Sequence, residues 1–220
     1  MRAQRLILIA AIVLSAGYVW LRGGFVGLHE GDHAMVASPV VQQGYQMATF
    51  AAGCFWSVEA VFDRVSGVVS TTSGYTGGRV ENPTYQDVVR GGTGHAEAVE
   101  VVFNPAVVTY DQLLDHFWHN VDPTTADRQF CDRGPEYRSE VFYHSEEQRL
   151  AAEESKREIE RTKKFHEPIV TQIVAAGPFY RAEEYHQDYP KKNPIQYHAY
   201  RTGCRRDARL RELWGKTPKS

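Results

Sequence analysis

The stretch Met47–Phe62, MATFAAGCFWSVEAVF, contains the pattern that decides the fold. Its first residues form an apolar run of the length of a buried strand. Gly53 interrupts this run, and apolar residues from Phe55 onward then recur at spacings of three and four, which predicts a helix that ends at Gly67. Cys54 is therefore expected at the junction between a strand and a helix N-terminus.

The rest of the chain adds further strands and helices, separated by long loops at 76–94 and 121–135. In chain order the core reads strand, helix, strand, strand, helix, strand. This order predicts an α+β fold, a two-layer, ferredoxin-like (split βαβ) sandwich with long functional loops and an irregular C-terminal tail. The expected later elements are strands 68–75, 95–103, 137–143 and 169–175, a helix capped by Thr109, and a charged, exposed helix 145–164.

The composition is that of a soluble globular domain. The chain has 220 residues, of which 42% are hydrophobic and 24% charged, and its formal net charge is -2. This charge gives no electrostatic reason to expect a nucleic-acid partner.

The N-terminal segment differs from the rest. Two arginines in Met1–Arg5 precede the apolar run Leu6–Leu21. Residues 1–22 are therefore interpreted as a secretory signal or a membrane anchor, residues 23–46 as a linker, and residues 47–220 as the folded domain. Either interpretation predicts an extracytoplasmic domain, in the cell envelope or periplasm, anchored to the membrane or secreted. A misassigned start or a buried core helix is the alternative.

The three cysteines, Cys54, Cys131 and Cys204, are odd in number and widely spaced, unlike a disulfide scaffold or a zinc knuckle. The nine histidines are scattered, and no metal site is expected. At a helix N-terminus, the unpaired amides and the helix dipole should lower the pKa of Cys54 and populate its thiolate. A buried structural cysteine is the alternative.

Glu97 alternates with apolar residues on one face of the strand 95–103. A carboxyl group that faces Val99, Val101 and Phe103 is desolvated, so its pKa should rise and make it a proton donor near neutral pH. A strand-end glutamate that reaches solvent is the alternative. Tyr85 and Tyr137 lie beside loops, where each could pack amphipathically or donate a hydrogen bond to a polar oxygen.

Five motifs occur in order along the chain. Together they resemble the A-type methionine sulfoxide reductases, which act on the S epimer, and the resemblance covers roughly Met47–Trp214. The family's α+β sandwich agrees with the predicted fold. The motifs are Gly-Cys-Phe-Trp (53–56), Gly-Tyr-Thr-Gly-Gly (74–78), Asn-Pro-Thr-Tyr (82–85), Gly-His-Ala-Glu-Ala-Val (94–99) and Tyr-Arg-Ser (137–139).

The resemblance implies a role for each of these side chains. Cys54 would attack the sulfoxide sulfur and Glu97 would protonate its oxygen, while Phe55 and Trp56 would wall a pocket for the methyl group. Three further residues would hold the oxygen through hydrogen bonds. They are Tyr85, Asp132 and Tyr137.

The resemblance also implies how the nucleophile is recycled. A second cysteine would attack the Cys54 sulfenic acid, and a thioredoxin-type dithiol would reduce the resulting disulfide. Cys204 matches the usual C-terminal position, on a tail able to swing; Cys131 is the alternative or backup, or is buried. No bound cofactor is implied. The expected partners are oxidised proteins or peptides carrying methionine sulfoxide, a thioredoxin-like reductant and, through the N-terminal segment, a membrane; the domain itself should be a monomer.

The sequence departs from the family pattern at three places. Ser57 stands where glycine is commoner, and a surface-facing turn of helix would accept it. Gly134-Pro135-Glu136 replaces the commoner Gly-Thr-Gln. Cys131 precedes an aspartate, Asp132, where many members have asparagine.

Two other functions are alternatives. A cysteine hydrolase or acyltransferase would pair Cys54 with a base such as His95. A binding module would use the aromatic pocket as a receptor for methionine or a peptide, without chemistry. The hydrolase requires a contact between Cys54 and a histidine, and it leaves Glu97 without a role.

Overall fold

The computed structural model describes residues 44–215 of the chain. Eight strands form within this part, six of them in one sheet and two in a separate hairpin. The strands are β1 (Gln46–Ala52), β2 (Val68–Thr76), β3 (Ala96–Phe103), β4 (Arg128–Gln129), β5 (Asp132–Arg133), β6 (Ser139–Tyr143), β7 (Gln172–Ala175) and β8 (Tyr180–Arg181).

The sheet has the order β7-β6-β1-β3-β2-β8, and β4 pairs with β5 to make the hairpin. Strands β6 and β7 are parallel, and the other pairings are antiparallel. The fold is therefore of the α+β class, with a mostly antiparallel central sheet.

Seven helices complete the described chain. Two of them, α2 and α3, begin with a capping box in which a threonine and the residue three positions on exchange hydrogen bonds with each other's backbone. The helices are α1 (Phe55–Phe62), α2 (Tyr85–Arg90), α3 (Tyr110–Trp118), α4 (Glu146–Thr162), α5 (Tyr189–Lys192), α6 (Pro194–Gly203) and α7 (Arg206–Trp214).

The main core lies between one face of the sheet and the helices α1, α3 and α4. Phe50 of β1 stacks on Phe62 of α1 with ring centroids 4.8 Å apart, and on Phe117 of α3 at 5.3 Å. Ala152 of α4 belongs to the same buried cluster. Because side chains alternate along a strand, β3 directs Val99, Val101 and Phe103 into this core, and Glu97 lies on the same face.

The opposite face of the sheet carries a smaller cluster. Ala51, Ala96 and Ala98 pack there with Phe142, and Phe179 covers them. Small side chains suit this face because a segment after β7 crosses close to it. β1 thus has both faces buried, which explains its continuous apolar sequence.

The structure differs from the sequence-based expectations mainly in the loops and the tail. The loop 76–94 contains α2, and the loop 121–135 contains the hairpin β4–β5. Tyr137 lies in a 3-10 turn before β6, which begins only at Ser139. The C-terminal part, predicted irregular apart from short helices, is largely helical: α5, α6 and α7 follow one another with short connections.

The predicted signal or anchor, residues 1–22, lies outside the described residues, as does nearly all of the predicted linker, residues 23–46. β1 begins at Gln46, one residue before the predicted start of the domain. Among residues 44–215, no helix has the length and apolar character that a membrane crossing requires.

Candidate active site

Cys54 caps the N-terminus of α1 at the point where β1 turns into the helix. Gly53 makes the turn with φ +81°, and a Cβ at this position would lie 2.4 Å from the Cβ of Gln129. Gln129 is fixed in turn, because its side-chain amide bonds the backbone N–H and C=O of Asp122 at 3.0 and 2.7 Å. The glycine thus allows the hairpin β4–β5 to close against the turn that carries the cysteine.

The thiol of Cys54 is buried, and its environment favours the neutral form. Burial raises the pKa of Cys54 well above its usual value, and the nearby carboxyl groups of Glu97 and Asp132 raise it further. Hydrogen bonds from the Tyr200 hydroxyl and the Trp56 backbone N–H act in the opposite direction. The prediction of a lowered pKa and a populated thiolate is therefore wrong for the unliganded site, because desolvation outweighs the helix N-terminus.

Glu97 lies beside Cys54, on the apolar face of β3 that strand alternation predicted for it. Its Oε2 accepts a hydrogen bond of 3.0 Å from the backbone N–H of Phe55, the residue that follows Cys54. The side chain is 2% exposed, and burial raises the pKa of Glu97 to about 8 despite that hydrogen bond. The carboxyl group is consequently protonated near neutral pH, and the alternative of a solvent-reaching glutamate is excluded.

Tyr85, Tyr137 and Asp132 surround the same two groups. Burial, then the charge of Glu97, raises the pKa of Tyr85 to about 12 and that of Tyr137 further, so both phenols remain hydrogen-bond donors. Cys54 and Asp132 contribute to both shifts. The structure thus brings these predicted oxygen-binding residues within electrostatic reach of Cys54 and Glu97.

Phe55 and Trp56 form part of an aromatic wall at the start of α1. The Trp56 ring stacks on Tyr189 with centroids 3.7 Å apart and planes within 7°. Its indole N–H donates to Nδ1 of His186 at 3.1 Å. Phe55 lies against the same histidine at 4.9 Å. An apolar wall whose orientation is fixed by stacking and by a hydrogen bond suits a small group such as a methyl.

Several residues of the site were missed by sequence analysis, and they come from the tail. Tyr200 on α6 donates to the Asp132 carboxylate and also contacts Cys54. Glu183 accepts from the Tyr75 hydroxyl at 2.9 Å and from the Tyr85 backbone N–H at 2.8 Å. The aromatic composition from Phe179 on was visible in the sequence, but it carries no periodicity that would assign these residues to a pocket.

Cys131 and Cys204 form a disulfide with Cα atoms 4.8 Å apart, while Cys54 is free. Cys131 lies in the hairpin next to Asp132 and is exposed, so the alternative that it is buried is wrong. Cys204 follows α6 and donates its backbone N–H to the carbonyl of Tyr200. Cys131 is therefore next to Asp132, whose charge acts on Cys54, and Cys204 is one helical turn from Tyr200, which hydrogen-bonds to Cys54.

The sulfur atoms of this pair and a carboxylate oxygen of Asp132 lie within 4.8 Å of one another, and no other cluster among residues 44–215 has potential metal ligands so close together. With the two sulfurs bonded to each other, they offer no thiolate to a metal.

Two smaller expectations are also corrected. Ser57 is completely buried rather than surface-facing, and its hydroxyl has no hydrogen-bond partner among the described residues. His95 cannot act as a base for Cys54, because its ring nitrogens bond the backbone of Gly78 at 3.1 Å and Val80 at 2.8 Å. The hydrolase interpretation therefore loses His95 as its candidate base.

The arrangement combines a buried thiol, a buried protonated carboxyl group, phenols that donate hydrogen bonds and a rigid apolar wall. Such a site can deliver a proton to a polar oxygen while a sulfur nucleophile attacks the atom that bears it. The other two cysteines, one of them exposed, can act as a dithiol that exchanges with Cys54 and with an external reductant.

Known proteins resemble this chain in sequence. Residues 46–218 match the family described as peptide methionine sulfoxide reductase. The peptide methionine sulfoxide reductase MsrA of Bacillus licheniformis is 50% identical over 171 residues, which span 78% of this chain and 94% of that protein. The MsrA of Methanothermobacter thermautotrophicus is 61% identical over 150 residues, spanning 68% of this chain and 89% of the relative.

Solved structures agree. The crystal structure of reduced Mxr1 from Saccharomyces cerevisiae has a TM-score of 0.65 at 35% identity and covers 69% of this chain and 87% of its own. Methionine sulfoxide reductase A of Corynebacterium diphtheriae has a TM-score of 0.63 at 34% identity, covering 74% and 82%. The match therefore extends over most of the described chain in sequence and in fold.

Proposed function

Because the chain belongs to the peptide methionine sulfoxide reductase family, it reduces methionine sulfoxide, and we propose that Cys54 and Glu97 carry out the reaction. The observation that supports this assignment most strongly is the buried carboxyl group of Glu97 bonded to the residue after the cysteine, with a pKa raised to about 8. A sulfoxide sulfur is a poor electrophile until its oxygen accepts a proton. A thiol and a neutral acid side by side meet that requirement.

The proposed first step conserves atoms and electrons. The Cys54 sulfur attacks the sulfoxide sulfur while the Glu97 carboxyl group gives its proton to the sulfoxide oxygen. The Cys54 thiol proton passes to the Glu97 carboxylate, restoring the acid. The attack joins the two sulfur atoms. The hydroxyl group then passes from the substrate sulfur to the Cys54 sulfur as the sulfur–sulfur bond and the sulfur–oxygen bond of the substrate break. Cys54 is left as a sulfenic acid, oxidised by two electrons, and methionine leaves reduced by two electrons.

We assign substrate contacts to the surrounding residues. Tyr85 and Tyr137 donate hydrogen bonds to the sulfoxide oxygen, and Asp132 holds this oxygen through Tyr200 or water. Phe55 and Trp56 form the pocket for the methyl group. Since the oxygen and the methyl group have separate, fixed sites around the sulfur, only one configuration at sulfur places both correctly, and we assign the S epimer. The substrates are free methionine sulfoxide and oxidised proteins or peptides that contain it.

An epimer-resolved assay tests this proposal. Two peptides are used, each containing one epimer of methionine sulfoxide. Each peptide is incubated with dithiothreitol and either the enzyme or its Cys54→Ser variant. We expect loss of the S epimer alone, and no loss with the variant. Turnover of both epimers would refute the assigned oxygen and methyl sites, and turnover by Cys54→Ser would refute the nucleophile.

Recycling of Cys54 is proposed to use both other cysteines. The Cys204 thiol attacks the Cys54 sulfenic acid and releases water, which gives a Cys54–Cys204 disulfide. The Cys131 thiol then attacks Cys204 and frees Cys54, and a thioredoxin-type dithiol reduces the Cys131–Cys204 disulfide. The disulfide between Cys131 and Cys204, with Cys54 free, supports the participation of both cysteines. Cys204 is assigned the first attack because it matches the usual C-terminal position of the family.

Serine variants distinguish the order of attack. After one turnover without reductant, Cys131→Ser should accumulate the Cys54–Cys204 disulfide, as identified by peptide mass mapping. Cys131→Ser and Cys204→Ser should each keep turnover with dithiothreitol and lose most of it with thioredoxin. If Cys204→Ser instead forms a Cys54–Cys131 disulfide as fast as the wild type forms its Cys131–Cys204 disulfide, Cys131 is the first resolving thiol.

The central strands fit a ferredoxin-like core, which we propose as the basic architecture. Helix α1 joins β1 to β2, α3 lies between β3 and β6, and these four strands have the antiparallel order β6-β1-β3-β2. Strands β7 and β8 extend the sheet at its edges. An experimental structure with parallel pairing between β1 and β3 would contradict this assignment.

We also propose that residues 1–22 direct the domain out of the cytoplasm. The support is the pair Arg2 and Arg5 before the apolar run Leu6–Leu21. Protease added to intact spheroplasts should digest the domain, and the mass of the mature chain separates a cleaved signal from an anchor. Full protection in spheroplasts would refute the proposal.

A further inference from the structure

Arg206, at the start of α7, is buried in the domain interior. Its side chain is 2% exposed, and among the lysines and arginines of residues 44–215 it alone is buried. It makes no ion pair with a carboxylate of the described residues, and burial lowers its pKa. An unpaired charge in the interior is costly, which calls for a reason other than stability.

The contacts of Arg206 connect the segments that carry the three cysteines. Its Nη2 donates to the carbonyl of Asn120 at 2.7 Å and lies 3.4 Å from the carbonyl of Ala52, two residues before Cys54. Its guanidinium lies over the ring of Phe130, 4.3 Å from the ring centroid. Phe130 directly precedes Cys131 in the sequence. Arg206 itself is two residues after Cys204.

The remaining donors of this guanidinium are unused. Nε and Nη1 of Arg206 are buried and have no hydrogen-bond partner among the described residues. The group is nevertheless within electrostatic range of the site, because the charge of Cys54 raises its pKa and its own charge lowers the pKa of Asp132. A cation with free N–H groups is therefore available to an anion that forms during the reaction cycle.

We propose that Arg206 is a positioning residue for the thiol–disulfide exchange: it holds the segments of Cys54, Cys131 and Cys204 in register and stabilises the thiolates that the exchange produces. The proposal rests on the recycling scheme above. By keeping the three sulfurs within a short reach of one another, the side chain raises their effective concentration.

The exchange steps show where a cation acts. Cys204 must attack as a thiolate; its sulfur bonds to the Cys54 sulfur, and the hydroxyl of the sulfenic acid leaves with a proton as water. When Cys131 then attacks Cys204, the bond to Cys54 breaks and Cys54 leaves as a thiolate. Each step places negative charge on sulfur in a buried site that already holds Asp132, and Arg206 offsets it.

Variants of two arginines on α7 test this role in the full-length protein. Arg206→Met removes the charge and the donors at similar volume. Arg206→Lys keeps the charge but loses the planar guanidinium, which lies over the Phe130 ring and whose Nη2 reaches both carbonyls. The control is Arg209→Met on the same helix. It breaks the ion pair of Arg209 with Asp122 (2.7 Å), and within the described part of the chain no hydrogen bond of the Arg209 side chain is to a cysteine or to a residue next to one.

Three quantities are measured for each variant: methionine formed in one turnover without reductant, the rate of disulfide formation with dimedone present to trap sulfenic acid, and the pKa of Cys54 from the pH dependence of alkylation. With Arg206→Met, we expect one methionine per chain, disulfide formation slower by about tenfold or more, accumulation of a dimedone adduct on Cys54, and a Cys54 pKa above that of wild type. Arg206→Lys should keep the wild-type pKa and resolve more slowly. Arg209→Met should lose thermal stability only.

Disulfide formation at the wild-type rate in a folded Arg206→Met protein would overturn the inference. If that variant does not fold, the same result with Arg206→Lys would overturn it. Failure of the wild-type enzyme to form methionine would instead refute the proposed function, so the two failures are distinguishable.

Discussion

Glu97 and Cys54 hold their protons together in the unliganded site, and each affects the other. Burial raises both pKa values, and the charge of Glu97 would raise that of Cys54 further. A neutral Glu97 therefore makes it easier for Cys54 to lose its proton when substrate arrives. The proposed mechanism requires Glu97 to be protonated, which its pKa of about 8 provides at neutral pH.

This protonation state predicts a pH profile. Activity of the wild type should fall as pH rises through about 8, because the ionised carboxylate cannot donate a proton. Glu97→Gln should lower kcat/KM by about 10²–10⁴ and abolish that descending limb. The matched control is Glu100→Gln, on the same strand but facing away from the helices, which should keep the wild-type profile. A descending limb that persists in Glu97→Gln would assign it to another group.

Single residues also show how far sequence reasoning reaches. The raised pKa of Glu97 follows from strand alternation, a local rule, and was predicted correctly. The pKa of Cys54 was predicted in the wrong direction, because the helix N-terminus is a local feature while its burial and the carboxyl group of Asp132 depend on tertiary packing. Tyr200 was not predicted, since 146 residues separate it from Cys54.

At the scale of single elements, short structures position the site. Helix α2 presents Tyr85 at its first residue, and the capping box between Thr84 and Asp87 holds that end of the helix. The same box between Thr109 and Gln112 begins α3 in the core. The Thr84-x-x-Asp87 pattern was present in a stretch interpreted as loop, so α2 could have been predicted from it.

The two capping boxes provide a paired test. Thr84→Ala and Thr109→Ala should each cost about 1 kcal/mol of unfolding free energy, measured by urea denaturation. Only Thr84→Ala should raise KM, because fraying of α2 releases Tyr85 from the site. Equal KM values in the two variants would show that Tyr85 does not depend on the helix for its position.

The turn before Cys54 gives a second paired test. Gly53 and Gly91 both have φ near +80°, but a Cβ at Gly91 meets no atom within 4 Å, whereas one at Gly53 would overlap Gln129. Gly91→Ala should cost about 1–2 kcal/mol from the left-handed backbone alone. Gly53→Ala should cost more and also lower kcat, because the hairpin must move away from Cys54. Similar losses of stability and unchanged kcat in both variants would contradict this role of the hairpin.

At the scale of the whole molecule, the acidic site opposes stability. The pKa of Glu97 is raised from 4.5 to about 8 and that of Glu59 to about 7, so the folded state binds these protons more tightly than the unfolded state does. Stability is fully present below pH 4.5 and is lost as pH rises toward these folded-state values.

Chemical denaturation at several pH values tests this balance. The unfolding free energy of the wild type should fall from pH 5 to pH 8, and Glu97→Gln should be more stable than wild type near neutral pH by about 3 kcal/mol. The slope of the unfolding free energy against pH should be smaller in Glu97→Gln than in the wild type, and smaller again in the Glu59→Gln, Glu97→Gln double variant. A wild-type stability that is flat over this range would mean that neither carboxyl group is strongly perturbed.

The overall fold was largely predictable, whereas the assembled site was only partly so. The order of β1, α1, β2, β3, α3 and β6 follows from local periodicity. The tail contributes Tyr200, Glu183 and His186 through contacts across the chain, and nothing local in the sequence marks where α5 to α7 will dock. The Cys131–Cys204 pairing likewise depends on the position of a hairpin that lay hidden in a predicted loop.

The most direct test of the central claim is a single-turnover measurement on the full chain. Reduced Cys131→Ser, Cys204→Ser double variant, freed of reductant, is mixed with a peptide that contains the S epimer and dimedone, and methionine and modified cysteine are quantified together. We predict one methionine per chain and one dimedone adduct, located on Cys54. The triple variant, which also carries Cys54→Ser, should give neither product. Methionine formed without a Cys54 adduct, or formed by the triple variant, would contradict the assignment of Cys54 as the nucleophile.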